Sequence, residues 1–292
     1  YCMSWRSVVV SSSAKLDYQM GYLVVRKDIT QKVHLSEIGL LIIESTAVSL
    51  TGALISELVK RKIKVIFCDE KRNPSCELLA YYGAHDTSAK IKKQVAWTPD
   101  MKTTVWTEIV SEKIRKQRDN LSYFGRDESE LLQRYLEEVE FGDTTNREGH
   151  AAKVYFNALF GKDFSRTTDC NINAALNYGY SIILSMFNRE IVSNGYLTQI
   201  GLFHDNMFNS FNLASDLMEP FRVIIDRRVK EMKIETFEKS EKMWLVDTLN
   251  DEVKINGRRE LVSNAIKIYC KSVLESLEEK DTSLIKFYYY EL

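Results

Sequence analysis

The N-terminal third of the chain places its apolar residues in short runs cut by polar turns. Residues 7–11, 21–26, 31–34, 40–43 and 63–67 are each rich in Val, Ile or Leu, with Tyr22 and Phe67 among them. Runs of this length and composition predict strands. Between them, residues 50–62 change period. Leu50, Leu54 and Leu58 stand four apart, and Ser49 or Thr51 is available to cap a helix. This part reads as a small sheet with one helix packed on it.

After residue 83 the period is helical. Residues 86–97, 103–121 and 128–140 predict three helices, with Pro99 in Thr98-Pro99-Asp100 separating the first two. A further helix carries Ala152, Tyr155, Phe156 and Leu159 on its apolar stripe and stops at Gly161. A long apolar helix reaches about Val192, and residues 231–248 and 257–279 continue the pattern. Leu213, Leu217, Phe221 and Ile224 mark another buried face, which Pro220 interrupts. The fold class is therefore α+β, a small N-terminal β domain followed by a larger all-α C-terminal domain. The expected division is residues 3–82 and 83–292. A linker at about 69–83 contains Pro74 and the charges Asp69, Glu70, Lys71 and Arg72.

Composition narrows the reading in a few places. Three prolines and twelve glycines in 292 residues favour long helices over many short strands. A net charge of −1 excludes a chain that is basic throughout, so any grip on phosphates must be local. Lys113, Arg115, Lys116 and Arg118 form one such cluster on an expected exposed helix face, and Arg222, Arg227 and Arg228 form another. Five scattered cysteines with no CxxC pair point to a reducing compartment. No apolar run approaches the ~20 residues of a membrane span, and no signal peptide is evident, so a cytoplasmic location is expected. Met3, after Tyr1-Cys2, reads as the natural start.

The candidate chemistry lies in two stretches. Asp216 and Glu219 share one side of the helix that Pro220 breaks, and His204 arrives upstream in an Asn-rich loop. Two acids, an imidazole and a broken helix look like half of a metal site, although solvated acids on a surface helix give the same pattern. Glu148 lies four before Ala152 and seven before Tyr155, so it projects from a core-facing stripe, where a carboxylate needs a partner. Thr145 and Glu148 also fit a capping box. His150, about 200° round the helix from Glu148, reads as a surface residue.

Four segments carry a family resemblance. They are Asn-Arg-Glu148-Gly-x-Ala-Ala-x-x-Tyr155, Asp169-x-Asn-x-Asn-Ala-x-Leu-Asn-Tyr-Gly-Tyr180, His204, and Asp216-Leu-Met-Glu-Pro-Phe-Arg222. Together they resemble the CRISPR-associated adaptation integrase, the metal-dependent member of the pair that inserts new spacers into CRISPR arrays. The run Ile66-Phe-Cys-Asp-Glu-Lys-Arg-Asn-Pro74 is similar to the type II version, II-A in particular. By position, the resemblance implies Glu148, His204 and Glu219 as catalytic metal ligands, with Asp216 as a supporting group behind them. It implies Mg2+ or Mn2+ as cofactor and double-stranded DNA, both prespacer and leader–repeat, as substrate. It also implies a homodimer and a 4:2 complex with a small adaptation partner. In type II-A the effector nuclease and a DNA-end-binding ring protein would join them.

One imidazole and two carboxylates suit a hard divalent ion. Such an ion supports attack on phosphorus by a prespacer 3′-hydroxyl, which integrates, or by water, which cleaves. Arg222, one turn from Glu219, is the cation expected nearest the scissile phosphate. A non-catalytic helical scaffold and a general nuclease are the competing readings.

Overall fold

The structure is a computed structural model that describes residues 6–81 and 84–290, so Met3 lies outside the described residues. The chain separates into two compact units, Tyr1–His85 and Asp86–Leu292.

The first unit holds two four-stranded sheets where the sequence suggested one. Its strands are β1 (Arg6–Val10), β2 (Ala14–Gln19), β3 (Tyr22–Arg26), β4 (Gln31–His34), β5 (Ile38–Ile43) and β6 (Val48–Leu50). Helix α1 (Gly52–Lys60) and strands β7 (Lys64–Cys68) and β8 (Pro74–Leu78) complete it. One sheet runs β1-β5-β7-β8, parallel except for its last pair, and the other runs β4-β3-β2-β6. The two central parallel strands, β5 and β7, are buried almost throughout, as strands covered on both faces must be. Thr51 caps α1 by accepting from the Leu54 amide at 3.3 Å, and Leu54 and Leu58 enter the core with Leu16, Leu23 and Leu41. Within the segment expected as a linker, residues 74–78 form β8. Pro74 is tolerated because it is the first residue of a strand at the sheet edge.

The second unit is built around one long helix. Its helices are α2 (Thr87–Val95), α3 (Pro99–Tyr123), α4 (Ser129–Glu137), α5 (Arg147–Phe160) and α6 (Asn171–Ser193). They continue with α7 (Asn212–Leu217), α8 (Arg222–Met232), α9 (Lys239–Asp247) and α10 (Val262–Glu279). Pro99 opens α3 at its first turn, where a missing N–H costs nothing, and the Thr98 hydroxyl accepts from the Met101 amide. Helix α3 packs against α4, α5, α8 and α10, so residues along its length meet different neighbours.

This unit is not all-α. Strands β9 (Glu252–Ile255), β10 (Arg258–Leu261) and β11 (Tyr288–Tyr289) form a small antiparallel sheet in the order β10-β9-β11. Asn256 and Gly257 both take positive φ, 51° and 75°, which is the two-residue hairpin turn that Asn-Gly favours. The expected helix over 231–248 is likewise two elements, because α8 ends at Met232 and α9 begins at Lys239. No helix among the described residues is long and apolar enough to cross a membrane.

Candidate active site

A side-chain cap and a proline break position Glu148 and Glu219. Asp143 caps α5, accepting from the Arg147 amide at 2.7 Å and the Glu148 amide at 3.0 Å. That fixes Glu148 at the start of the helix and takes the place of the Thr145–Glu148 capping box, so the Glu148 side chain is left for other work. The buried residues of α5 are Ala151, Tyr155 and Leu159, with Ala152 and Phe156 half-buried, so the stripe is turned slightly from the one expected. Pro220 ends α7, and a single 3-10 turn, Glu219–Phe221, links it to α8. Leu213, Leu217, Phe221 and Ile224 are all buried and anchor this break. From below, the buried Tyr288 of β11 donates its hydroxyl to the Pro220 carbonyl at 3.0 Å, with its ring 4.7 Å from that of Phe221.

The centre of the arrangement is a lysine between two glutamates. Lys113, from the middle of α3, bonds Glu148 Oε1, and its Nζ lies 2.5 Å from Glu219 Oε2. The latter contact is a close, buried ion pair. Arg222 Nη2 stands 3.1 Å from Glu219 Oε1 and its guanidinium lies over the Tyr180 ring at 4.9 Å. Burial pushes the Glu219 carboxyl up, but Arg222 and Lys113 outweigh it and hold the group below its ordinary range. Burial likewise works against the Lys113 ammonium, and the two glutamates overcome it and raise its pKa. Both Glu219 and Lys113 are thus held charged.

Asp216, fully buried, organises the His204 loop. Its Oδ2 accepts from the amides of Leu202 at 2.6 Å and Phe203 at 3.2 Å. Its Oδ1 accepts from the His204 amide at 3.1 Å and lies 2.5 Å from His204 Nδ1. Gly201 is needed here because a Cβ would come within 2.4 Å of the His204 carbonyl oxygen and 2.8 Å of Asp216 Oδ2. The bond to Asp216, the largest influence on His204, raises its pKa against the lowering effect of burial. With Nδ1 committed to Asp216, Nε2 is the nitrogen left for a ligand. His150 is exposed beside Tyr135, with ring centroids 6.2 Å apart.

Among the described residues no three His, Cys, Asp or Glu side chains stand close enough together to hold a metal ion as placed. The donor chemistry nevertheless fits one. Two carboxylates converge on a single cationic group, and a positioned imidazole belongs to the same electrostatic cluster.

The predicted basic face is not an exposed face. Lys113 and Lys116 are buried, because α3 is surrounded by other elements and both ammonium groups have acids to neutralise them. Lys116 pairs with Glu112 at 2.7 Å and lies over the rings of Tyr288 at 4.6 Å and Tyr289 at 4.4 Å. Arg115 pairs with Glu112, and Arg118 with Asp119 and Gln133. The second cluster divides. Arg227 donates to Asn120 Oδ1 at 3.0 Å and is sandwiched between Tyr123 and Tyr290, 3.9 and 4.1 Å from their centroids. Arg228 is held by Thr248, by Asp251 at 2.5 Å and by the Trp244 ring. Only Arg222 faces the candidate site.

A polar cavity of about 140 Å3 opens beside Glu219, lined by Lys113, Gln117, Arg166, Tyr180, Arg222 and Asp226 among others. Sequence reasoning did not assign Arg166 to the site. It reaches there by bonding Asn173 and, at 2.7 Å, Asn177 on α6, with its guanidinium 5.3 Å from the Tyr180 ring. The Asn-x-x-x-Asn spacing on one helix face was the available signal.

Comparison with known proteins decides the family. Residues 7–254 match the family model described as CRISPR associated protein Cas1. The chain belongs to the Cas1 family. A Cas1-family relative, the CRISPR-associated endonuclease Cas1 of Neisseria meningitidis serogroup C (strain 8013), is 32% identical over 291 residues, covering 97% of this chain and 96% of its own. Two solved structures share the fold. One is titled as a casposase bound to integration product, with TM-score 0.79, 20% identity, and coverage of 95% of this chain and 92% of that one. The other is a Cas6-RT-Cas1–Cas2 complex, with TM-score 0.71, 18% identity, and coverage of 97% and 36%. The Cas1 fold is thus a mixed α+β one, with N-terminal sheets and a mostly helical C-terminal region, as the order of the motifs implied.

Proposed function

We propose that this chain is a CRISPR-adaptation integrase and DNA endonuclease that joins prespacer 3′-hydroxyl ends into a CRISPR repeat. One observation carries the placement of its chemistry: two glutamates from separate elements converge on one buried cation, beside a histidine fixed by a buried aspartate. Glu148, Glu219 and His204 Nε2 would hold Mg2+ or Mn2+. When bound, such an ion neutralises charge developing on the attacking and leaving oxygens and lowers the pKa of a hydroxyl or water.

The remaining roles belong to the chain's own residues. Asp216 holds the His204 ring so that one nitrogen only is presented. Lys113 lies between the two carboxylates and compensates their charge. Arg222 and Arg166 line the cavity beside Glu219 and grip the phosphate backbone there, the first by charge and the second as a braced planar fork. Of the first basic cluster, Arg115 has a side chain 40% exposed, whereas Lys113 and Lys116 are buried. The assembly is a homodimer, two of which flank a dimer of a small Cas2-type partner in a 4:2 complex. The Cas2-type partner is supported by the Cas1–Cas2 title of one structural relative. A type II-A setting, with its effector nuclease and end-binding ring protein, follows from the 66–74 run.

The test is strand transfer. Wild-type chain with the partner and Mn2+ should join a labelled duplex with free 3′-hydroxyls into a supercoiled repeat-containing plasmid. The same duplex with 3′-deoxy ends, or addition of chelator, should give no product. Joining that persists in chelator overturns the metal assignment, and cleavage without joining favours a general nuclease.

A further inference from the structure

Beside the candidate site an aromatic column ends in solvent. The Trp106 ring on α3 is buried, and the Phe203 ring lies flat on it, with centroids 4.5 Å apart and planes 1° apart. Phe203 is 59% exposed, so the outer ring of the stack is more than half open to water. The backbone beneath the ring is held, because Asp216 accepts from the amides of residues 202, 203 and 204. The His204 ring stands edge-on to both, 5.9 Å from Trp106 and 5.8 Å from Phe203.

The same loop then presents Met207 and Phe208, 88% and 87% exposed. It is internally tied. The Phe208 amide donates to Asn206 Oδ1 at 2.9 Å, the Phe211 amide to Asn209 Oδ1 at 2.9 Å, and Asn212 Nδ2 to the Asn206 carbonyl at 3.1 Å. An ordered loop that displays three large apolar side chains marks a binding surface, and its ordering cost is already met. Its chemistry selects the occupant. Residues 190–221 contain no Lys or Arg, and Asp205 on the loop is exposed, so the loop itself offers a phosphate no cationic side chain. What fits is a flat apolar partner. In DNA such faces are available only where bases are unpaired.

We propose that Phe203, backed by Trp106, stacks on an unpaired nucleobase of the strand end handled at the adjacent site. Met207 and Phe208 extend the apolar floor. This rests on the DNA-joining reading above and assigns to Phe203 the positioning of the strand end.

The experiment uses the full chain and a duplex with short unpaired 3′ ends, carrying 2-aminopurine at successive overhang positions. Binding is read in EDTA. One position should be quenched on binding. Phe203→Leu should lose that quenching and bind the overhang about tenfold more weakly, while Phe203→Trp restores both. Affinity for a blunt duplex should be the same for all three. An abasic nucleotide at the quenched position should mimic Phe203→Leu, and the two changes together should cost no more than either alone. Equal weakening of blunt and overhanging DNA by Phe203→Leu would mean that the ring only packs Trp106, and it overturns the proposal. So does a Phe203→Leu, Met207→Ser and Phe208→Ser chain that loses a protein partner while keeping overhang affinity. Strand transfer by wild type with no quenching at any position overturns the stack alone. Quenching without strand transfer supports the stack and overturns the joining reading.

Discussion

Lys113 and Lys116 stand three residues apart on α3, and both are buried and paired with acids, yet what else surrounds them differs in kind. Lys113 lies between Glu148 and Glu219, with Arg222 completing the cluster. Lys116 lies over Tyr288 and Tyr289 of the C-terminal strand, and Arg227, further along α8, lies between Tyr123 and Tyr290. The first cluster is made of ionised groups that compensate one another. The second uses cations to staple an aromatic tail onto the core. A buried ion pair is costly to desolvate and a weak source of stability. Cation–aromatic contacts here hold the buried Tyr288 and the half-exposed Tyr123 and Tyr289 against the helices. The two clusters share helices and are joined through Tyr288, whose hydroxyl reaches the Pro220 carbonyl next to Glu219. Charge counted along the sequence cannot separate them; the partner chemistry does.

The comparison breaks most decisively at the acids. Glu148→Gln and Glu219→Gln keep shape and remove charge, so each should slow strand transfer by roughly a thousandfold in Mn2+ while the fold is retained. Lys153→Ala, on the exposed side of α5, should change the rate by no more than about twofold. A plasmid-joining time course checks both, and near-normal joining by either Gln variant strikes that residue from the site.

Asp226 sits on α8 between the two clusters, and it gives a pH test. Burial, the largest influence, raises its carboxyl to about 6 against the lowering pull of hydrogen bonds from Tyr180 and Tyr155. The unfolded value is about 3.9, so the native state binds this proton more tightly. Its contribution to stability is therefore present below about pH 4, falls as pH rises to about 6, and is constant above that. Asp226→Asn lacks this dependence. Its stability relative to wild type should rise by up to about 3 kcal/mol between pH 4 and pH 7, read by urea unfolding. A difference that stays constant over that range would show that Asp226 titrates normally.

The smallest expected effect separates the arginines. Arg227→Ala should cost about 2 kcal/mol of stability and leave DNA affinity unchanged across a salt titration. Arg222→Ala should do the reverse, lowering the salt slope of DNA binding by about one. If Arg227→Ala instead lowers the salt slope, its stacking is not its main role and the comparison fails.

Much of this was legible before folding. Strands β1, β3, β4, β5 and β7 fall within two residues of their expected runs, and β5 and β7 were plainest because buried strands need near-continuous Val, Ile and Leu. Strand β2 was missed, since Ala-Lys-Leu-Asp-Tyr-Gln mixes weak strand formers and only its middle leucine is fully buried. The Asn256-Gly257 hairpin carried a strong turn signal, yet the helical period after it hid two four-residue strands. At the site, residue type and order pointed to Glu148, His204, Asp216 and Glu219. Lys113 was read as an exposed cation, because a lysine amid helix charges looks solvated until the acids opposite it are known. The Asp143 cap was hidden for a related reason: Asp143 itself sits at positive φ, 52°, outside any regular helix signal.

The central claim is that Glu148, His204 and Glu219 form one metal centre whose two carboxylates Lys113 otherwise compensates. Crystals grown with Mn2+ and measured at the manganese absorption edge test it most directly. The account predicts one anomalous peak per chain, bounded by these three side chains, and its loss in Glu219→Gln. A peak elsewhere, or one that survives Glu219→Gln at full height, would contradict it.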